Sequence, residues 1–220
     1  EVLSEEMSAE DLLVPGSSGA CSEVTMQAFR VKQGMRVFNS EGLGPMGFGL
    51  AASIGACLAS GKRRTICVEG DGGLQLNSQE LETLRRLDLP VKLFVLDNGG
   101  YGSIQATQRH HFAGRLVASS PESGLTLPDT LALAAAYRLR GERICGHDRL
   151  REVVREVLAQ PGPVVCEVRL APNQFTAPRV TSVQRPDGSI ASTLMEDLWP
   201  FLDRQEFLEN MLVRPIDEGP

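Results

Sequence analysis

One pattern constrains this chain more than any other. A short run of apolar, β-prone residues ends in a glycine-rich polar turn, and a stretch with helical periodicity follows. Thr65-Ile66-Cys67-Val68 runs into Gly70-Asp71-Gly72-Gly73, and Val91–Leu96 (VKLFVL) runs into Asp97-Asn98-Gly99-Gly100. Arg36–Asn39, Leu139–Ile144 and Pro163–Leu170 are weaker examples of the same apolar run. Between them, Gly47–Ser60, Asn77–Leu87, Pro128–Tyr137 and His147–Gln160 have the spacing of helices, with Ser78 placed to cap the second. Strands separated by helices join in parallel and need helices on both faces. The expectation is an α/β fold, a three-layer α/β/α sandwich around a mostly parallel sheet of about six strands.

Composition narrows the function classes. Of 220 residues, 42% are hydrophobic and 23% charged, ordinary globular usage, and the net charge is −6. Without a basic patch, nucleic-acid binding is not expected, and without a long apolar run neither is a membrane span. The five cysteines (Cys21, Cys57, Cys67, Cys145, Cys166) are scattered, with no C-x-x-C pair. They read as free thiols of a reducing compartment, and with no secretory leader pattern the expected location is cytoplasmic. The chain opens on Glu1, and its acidic start reads as a linker or the edge of a larger protein. The expected division is residues 1–16 as linker or domain edge, 17–171 as one domain, and 172–220 as a tail. That tail reads either as a lid or as disordered chain, with short terminal helices at Glu196–Leu202 and Arg204–Leu212.

In open α/β sheets ligands sit at the carboxyl ends of the strands. Two strand ends here carry glycine-rich turns, and their polar residues Asp71 and Asn98 lie 27 positions apart, one strand–helix–strand unit. If the two strands are neighbours, a carboxylate and an amide oxygen converge. Two hard oxygen ligands beside glycine backbone suit a magnesium–diphosphate, because Mg²⁺ takes its remaining ligands from phosphate and water. The plain alternative is that D-G and N-G are turn dipeptides.

The GDG sequence and the VLDNGGYGSI segment, whose Asp71 and Asn98 lie 27 positions apart, resemble the thiamine-diphosphate motif, usually written GDG to NN. The similarity runs from about Ser17 to Leu170 and is greatest to the diphosphate-binding C-terminal domain of acetolactate synthases, pyruvate oxidases and related decarboxylases. Asp97 departs from the first Asn of the pair. The resemblance implies the thiamine-diphosphate-binding fold, with Asp71, Asn98 and the main-chain oxygen of Gly100 as Mg²⁺ ligands. Gly70, Gly72 and Gly73 would face the diphosphate, as would Tyr101, Gly102, Ser103 and Ile104 at a helix start. Ser18, Gly19, Ala20 and Cys21 align with a diphosphate-contacting loop that often carries Gln and His in acetolactate synthases. Within Ser40–Gly49, Met46 resembles the bulky residue that bends the cofactor, and the Gly44 carbonyl the acceptor for its pyrimidine amino group.

The implied reaction is decarboxylation or carboligation of a 2-oxo acid, dependent on thiamine diphosphate and Mg²⁺. The family's activating glutamate comes from a separate pyrimidine-binding domain. That domain would lie on the same longer chain or on another subunit, giving at least a homodimer or homotetramer. FAD, bound by a middle domain in some relatives, has no support in this sequence. Two alternatives stand beside this one: the diphosphate-binding subunit of a two-subunit 2-oxo acid decarboxylase, and a non-catalytic protein that keeps the fold. Degraded ligands would mark the latter, yet Asp71, Asn98 and Met46 are all present. Glu69 belongs to the wrong strand end for the activating role and reads as a local hydrogen-bond partner. Gln105, Gln108, Arg109, His110 and His111 face either substrate or solvent.

Overall fold

The computed structural model describes residues 1–17, 19–40, 42–172, 174, 176–185 and 187–213. The chain divides into two units, residues 1–174 and 175–220. The first contains α1 (Val2–Glu6), β1 (Leu12–Pro15), α2 (Glu23–Ala28), β2 (Arg36–Val37), α3 (Phe48–Ala59), β3 (Thr65–Gly70), α4 (Asp71–Leu76), α5 (Glu80–Leu87), β4 (Val91–Asp97), α6 (Gly102–His111), α7 (Thr130–Ala136), β5 (Arg140–Ile144), α8 (Leu150–Ala159) and β6 (Val164–Arg169). Its six strands form one sheet in the order β2-β1-β3-β4-β6-β5, and every pairing is parallel.

Alternation along the strands builds the three layers. In β3 and β4, Ile66, Val68 and Phe94 join a core with Met7, Val153, Val154 and Val157 on one face. Cys67, Val91, Leu93 and Val95 point the other way, into a core with Leu50, Ile54, Leu74, Leu81 and Leu84. Both cores are apolar, which is why β3 and β4 read as nearly continuous hydrophobic runs.

Four expectations need correction. Residues 1–16 are no linker: all four residues of β1 are buried, and β1 pairs with both β2 and β3. Four residues are too short a run to show a period in sequence. The Asp71–Gly73 stretch is the first turn of α4 rather than an isolated loop. Helix α5 begins at Glu80 behind Gln79, with no side-chain cap, so Ser78 does not cap it. Glu196–Leu202 is not helical.

The second unit holds an antiparallel pair, β7 (Ser182–Gln184) and β8 (Ile190–Ser192), and helix α9 (Arg204–Asn210). Asp203 caps α9 through the amide of Gln205 at 2.9 Å, and Arg204 grips Asp197 with two bonds of 2.7 and 2.8 Å. Among the described residues all five cysteines are free, with Cys145 the exposed one. No helix there is long and apolar enough to cross a membrane.

Candidate active site

The sheet reverses direction between β1 and β3. From β1 the chain crosses to β2 on one side, and from β3 it proceeds to β4 on the other. Such a switch point opens a crevice at the strand ends. Glu69, next to the end of β3, organises its walls. The residue is 1% exposed. Its Oε2 accepts from the Gly49 amide at 2.9 Å and its Oε1 from Gly70 at 3.1 Å. A β-carbon at Gly16, Gly49 or Gly73 would fall 2.5, 2.5 or 2.4 Å from its carboxylate oxygens. The loop after β1 and the starts of α3 and α4 therefore close on one side chain. Burial raises the Glu69 pKa, while the amides of Gly70, Gly49, Leu50 and Ser17 pull it back down. This is the local hydrogen-bonding role expected from sequence, with a wider reach.

Asp71 begins α4, 5% exposed. Its Oδ1 accepts from the Gly72 amide at 2.7 Å. Its Oδ2 accepts from Gly99 at 2.9 Å and Gly100 at 3.1 Å, so the loop after β4 folds onto it. Asn98 Oδ1 lies in the same loop, 3.3 Å from the Gly100 amide. Burial pushes the Asp71 carboxyl up to about 6, with the Gly72 amide opposing and the Asp97 carboxyl adding to the rise. Among the described residues no arginine or lysine pairs with Asp71, and no group of three His, Cys, Asp or Glu side chains gathers for a metal. The oxygens gathered here are instead the Asp71 carboxylate and the Asn98 side-chain oxygen, linked through the Gly100 amide. A buried carboxylate without a cation, beside hard oxygens, fits Mg²⁺.

Several of the other sequence-selected residues lie close to one another. A β-carbon on Gly72 would meet the Tyr101 ring at 2.4 and 2.5 Å and Met46 Cε at 3.3 Å, so these three residues converge. One on Gly19 would lie 3.2 Å from Ser103 Oγ, and one on Gly70 would lie 3.5 Å from Cys21 Sγ. Gly44 has a positive φ of 52°, and a β-carbon there would fall 2.8 Å from the Ser17 carbonyl oxygen. The Asn98 amide nitrogen would sit 2.7 Å from a β-carbon on Gly102, so Asn98 lies against the start of α6. The Ala20 carbonyl accepts from Thr25 Oγ1 at 3.2 Å, and Ile104 is exposed on α6. Ser18 lies outside the described residues.

Other supports carry little sequence signal. Gln105 Nε2 donates to the Ser119 carbonyl at 2.8 Å, and Gln108 Oε1 accepts from Ser119 Oγ at 2.7 Å. The same Ser119 carbonyl accepts the Tyr101 amide at 3.0 Å. The two glutamines thus staple the segment around Ser119 beneath the Gly100–Tyr101 turn, while His110 and His111 are exposed at the end of α6. Asn77 Nδ2 donates to the Gly47 carbonyl at 2.8 Å and fixes the turn that follows Met46.

Residues 17–168 match the family model described as "Thiamine pyrophosphate enzyme, C-terminal TPP binding domain". Over 160 residues the chain is 35% identical to the acetolactate synthase isozyme 2 large subunit of Escherichia coli (strain K12), an alignment covering 72% of this chain and 28% of that one. Over 154 residues it is 32% identical to the acetolactate synthase large subunit of Cyanidium caldarium, covering 70% and 26%. The chain thus spans little more than a quarter of these relatives' length. A solved structure, the Rhodococcus jostii RHA1 thiamine diphosphate-dependent 4-hydroxybenzoylformate decarboxylase, superimposes with a TM-score of 0.66 at 25% identity, covering 77% of this chain and 31% of that one. With its parallel sheet, its switch-point crevice and a family match over most of its length, the chain belongs to the thiamine pyrophosphate enzymes, as their C-terminal TPP-binding domain.

Proposed function

We propose that this chain supplies the diphosphate- and Mg²⁺-binding half of an active site that decarboxylates a 2-oxo acid, or joins it to a second carbonyl compound, in the manner of acetolactate synthases. The observation that carries this is Asp71: a buried carboxylate at the switch point, drawn against the Gly99 and Gly100 amides with no cation paired to it among the described residues. Asp71, Asn98 and the Gly100 carbonyl are the residues to hold Mg²⁺. The amides of Gly72 and Gly73 and the first turn of α6 (Gly102, Ser103, Ile104) are suited to the diphosphate, with the Gly19–Cys21 turn beside them. Met46 and the Gly44 carbonyl would fix the shape of the bound cofactor. When bound, thiamine diphosphate supplies the carbanion chemistry, and the chain's own task is to hold it in register and keep water away.

A glutamate from a pyrimidine-binding domain, on a longer chain or a second subunit, completes the site in this reading, and a homodimer or homotetramer would bring the halves together. Simple decarboxylation stands as the second reading, favoured by the likeness to a decarboxylase structure. Calorimetric titration of thiamine diphosphate into the complete protein, with and without Mg²⁺, tests the site. Asp71→Ala should weaken Mg²⁺-dependent binding by about 100-fold or more, and unchanged affinity would remove Asp71 from the metal site. Product analysis with a 2-oxo acid then separates decarboxylation from carboligation.

A further inference from the structure

Asp97 places a second carboxylate beside Asp71. The two share a donor: the Gly99 amide lies 2.9 Å from Asp71 Oδ2 and 3.0 Å from Asp97 Oδ1. Two like charges competing for one N–H repel each other and push the turn that carries Asn98 out of shape. The structure answers this from the neighbouring strand. Asp97 and Arg169 are register partners at the ends of β4 and β6, and Arg169 Nη1 lies 3.0 Å from Asp97 Oδ2. Arg169 Nε also pairs with Glu167, which is fully buried. Glu167 has a second cation, because Arg143 reaches both its oxygens at 3.1 and 3.0 Å. Among the described residues Arg169 is the one cation paired with Asp97. The Asp97 side chain is 13% exposed and that of Arg169 47%, so the carboxylate end of the pair is shielded while the guanidinium stays in contact with water.

We propose that Arg169 is a positioning residue for the metal-binding turn. It neutralises Asp97 and holds the Oδ2 edge of that carboxylate toward β6. The Oδ1 edge then braces Gly99 alongside the Asp71 carboxylate, and Asn98 is presented in one orientation. The inference rests on the functional reading above. Its chemistry is specific: a charge at position 97 requires a charge at position 169, and a neutral acceptor at 97 does not.

The test is a double-mutant cycle in the complete protein, read as the Mg²⁺ concentration that half-saturates thiamine diphosphate binding and, without either ligand, as the melting temperature. Arg169→Ala should raise the half-saturating Mg²⁺ about tenfold, the scale of one charge-assisted contact. Arg169→Ala combined with Asp97→Asn should return it to within about threefold of wild type, since the amide oxygen still accepts from Gly99 without charge. Arg169→Lys, which keeps a cation opposite Asp97, should fall between wild type and Arg169→Ala, and it serves if the alanine variant does not fold. Melting temperatures should follow the same order. A double variant as weak as Arg169→Ala, Mg²⁺ binding unchanged or tightened in Arg169→Ala, or a lysine variant no better than alanine overturns the proposal. Failure of the wild type itself to bind thiamine diphosphate with Mg²⁺ overturns the functional reading instead, and the ligand-free melting cycle still decides whether Arg169 and Asp97 act as a pair.

Discussion

Gly49 donates its amide proton to Oε2 of Glu69 across 2.9 Å, and this bond fastens the first turn of α3 to β3. Helix α3 starts behind Gly47 without a side-chain cap of its own. Glu69 satisfies part of that helix end from a neighbouring strand. A carboxylate suits the position because it only accepts, and the groups facing it are amide donors. Glu69→Gln keeps the shape but sets an NH₂ against one of those donors. Urea unfolding should show a loss of about 1–3 kcal/mol, and an unchanged midpoint would mean that α3 is anchored by packing alone.

Gly72 has no room to grow, pressed as it is against the Tyr101 ring and Met46. Gly72→Ala should cost about 1–3 kcal/mol through overpacking and should abolish Mg²⁺-dependent thiamine diphosphate binding in calorimetry. Gly55 is the contrast: it is exposed on α3, and a β-carbon there would meet nothing within 4 Å. Gly55→Ala should raise stability by about 0.5–1 kcal/mol from helix propensity and leave binding intact.

The N-terminal segment belongs to the sheet, and one ion pair makes this testable. Arg64 holds the 3%-exposed Asp11 with two bonds of 2.8 and 2.6 Å, and its third contact is the Leu158 carbonyl at 3.0 Å. Asp11 also accepts the Ser8 amide at 2.6 Å. Asp11→Ala should lower unfolding stability by about 2–4 kcal/mol, because it strands a partly buried guanidinium. A change near zero in a urea titration would restore the linker view of residues 1–16.

Lys92 gives a pH signature. It is fully buried, with Nζ bonded to the Gln160 and Gly162 carbonyls at 2.5 and 2.6 Å. Burial, then the Arg64 and Arg140 charges, lower its pKa from 10.5 to about 8. Between those values the unfolded chain binds more protons than the folded one, so stability from this group rises with pH across the window. The wild-type stability minus that of Lys92→Met should therefore increase from pH 8 to pH 10.5. A flat or falling difference would show that the two carbonyls hold the ammonium charged.

Much of the fold was legible because β3 and β4 are buried on both faces and so carry unbroken apolar runs, because α8 is long enough to show its period, and because α3 is a run of small apolar residues closed by Gly61. β1 was not legible: its four residues, LLVP, have no room for a pattern, and only pairing with two neighbours makes them a strand. The glycine turns with Asp71 and Asn98 stood out because backbone must approach closely there. Glu69, Gln105, Asn77 and Arg169 act through tertiary contacts up to 30 residues away along the chain or across strands, and no local spacing reveals such partners.

The crevice is made entirely of strand ends that only parallel crossovers bring together. Asp11 and Arg64, which tie β1 to β3, are 53 positions apart, and Asp71 and the Gly100 amide are 29 apart. Contacts of that span close late in folding, because the chain must lose the entropy of a long loop before any bond rewards it. A refolding chain will therefore regain the helicity of α5 and α8 well before it offers an anion anywhere to sit, and the recovery of ligand affinity will time the closing of the sheet.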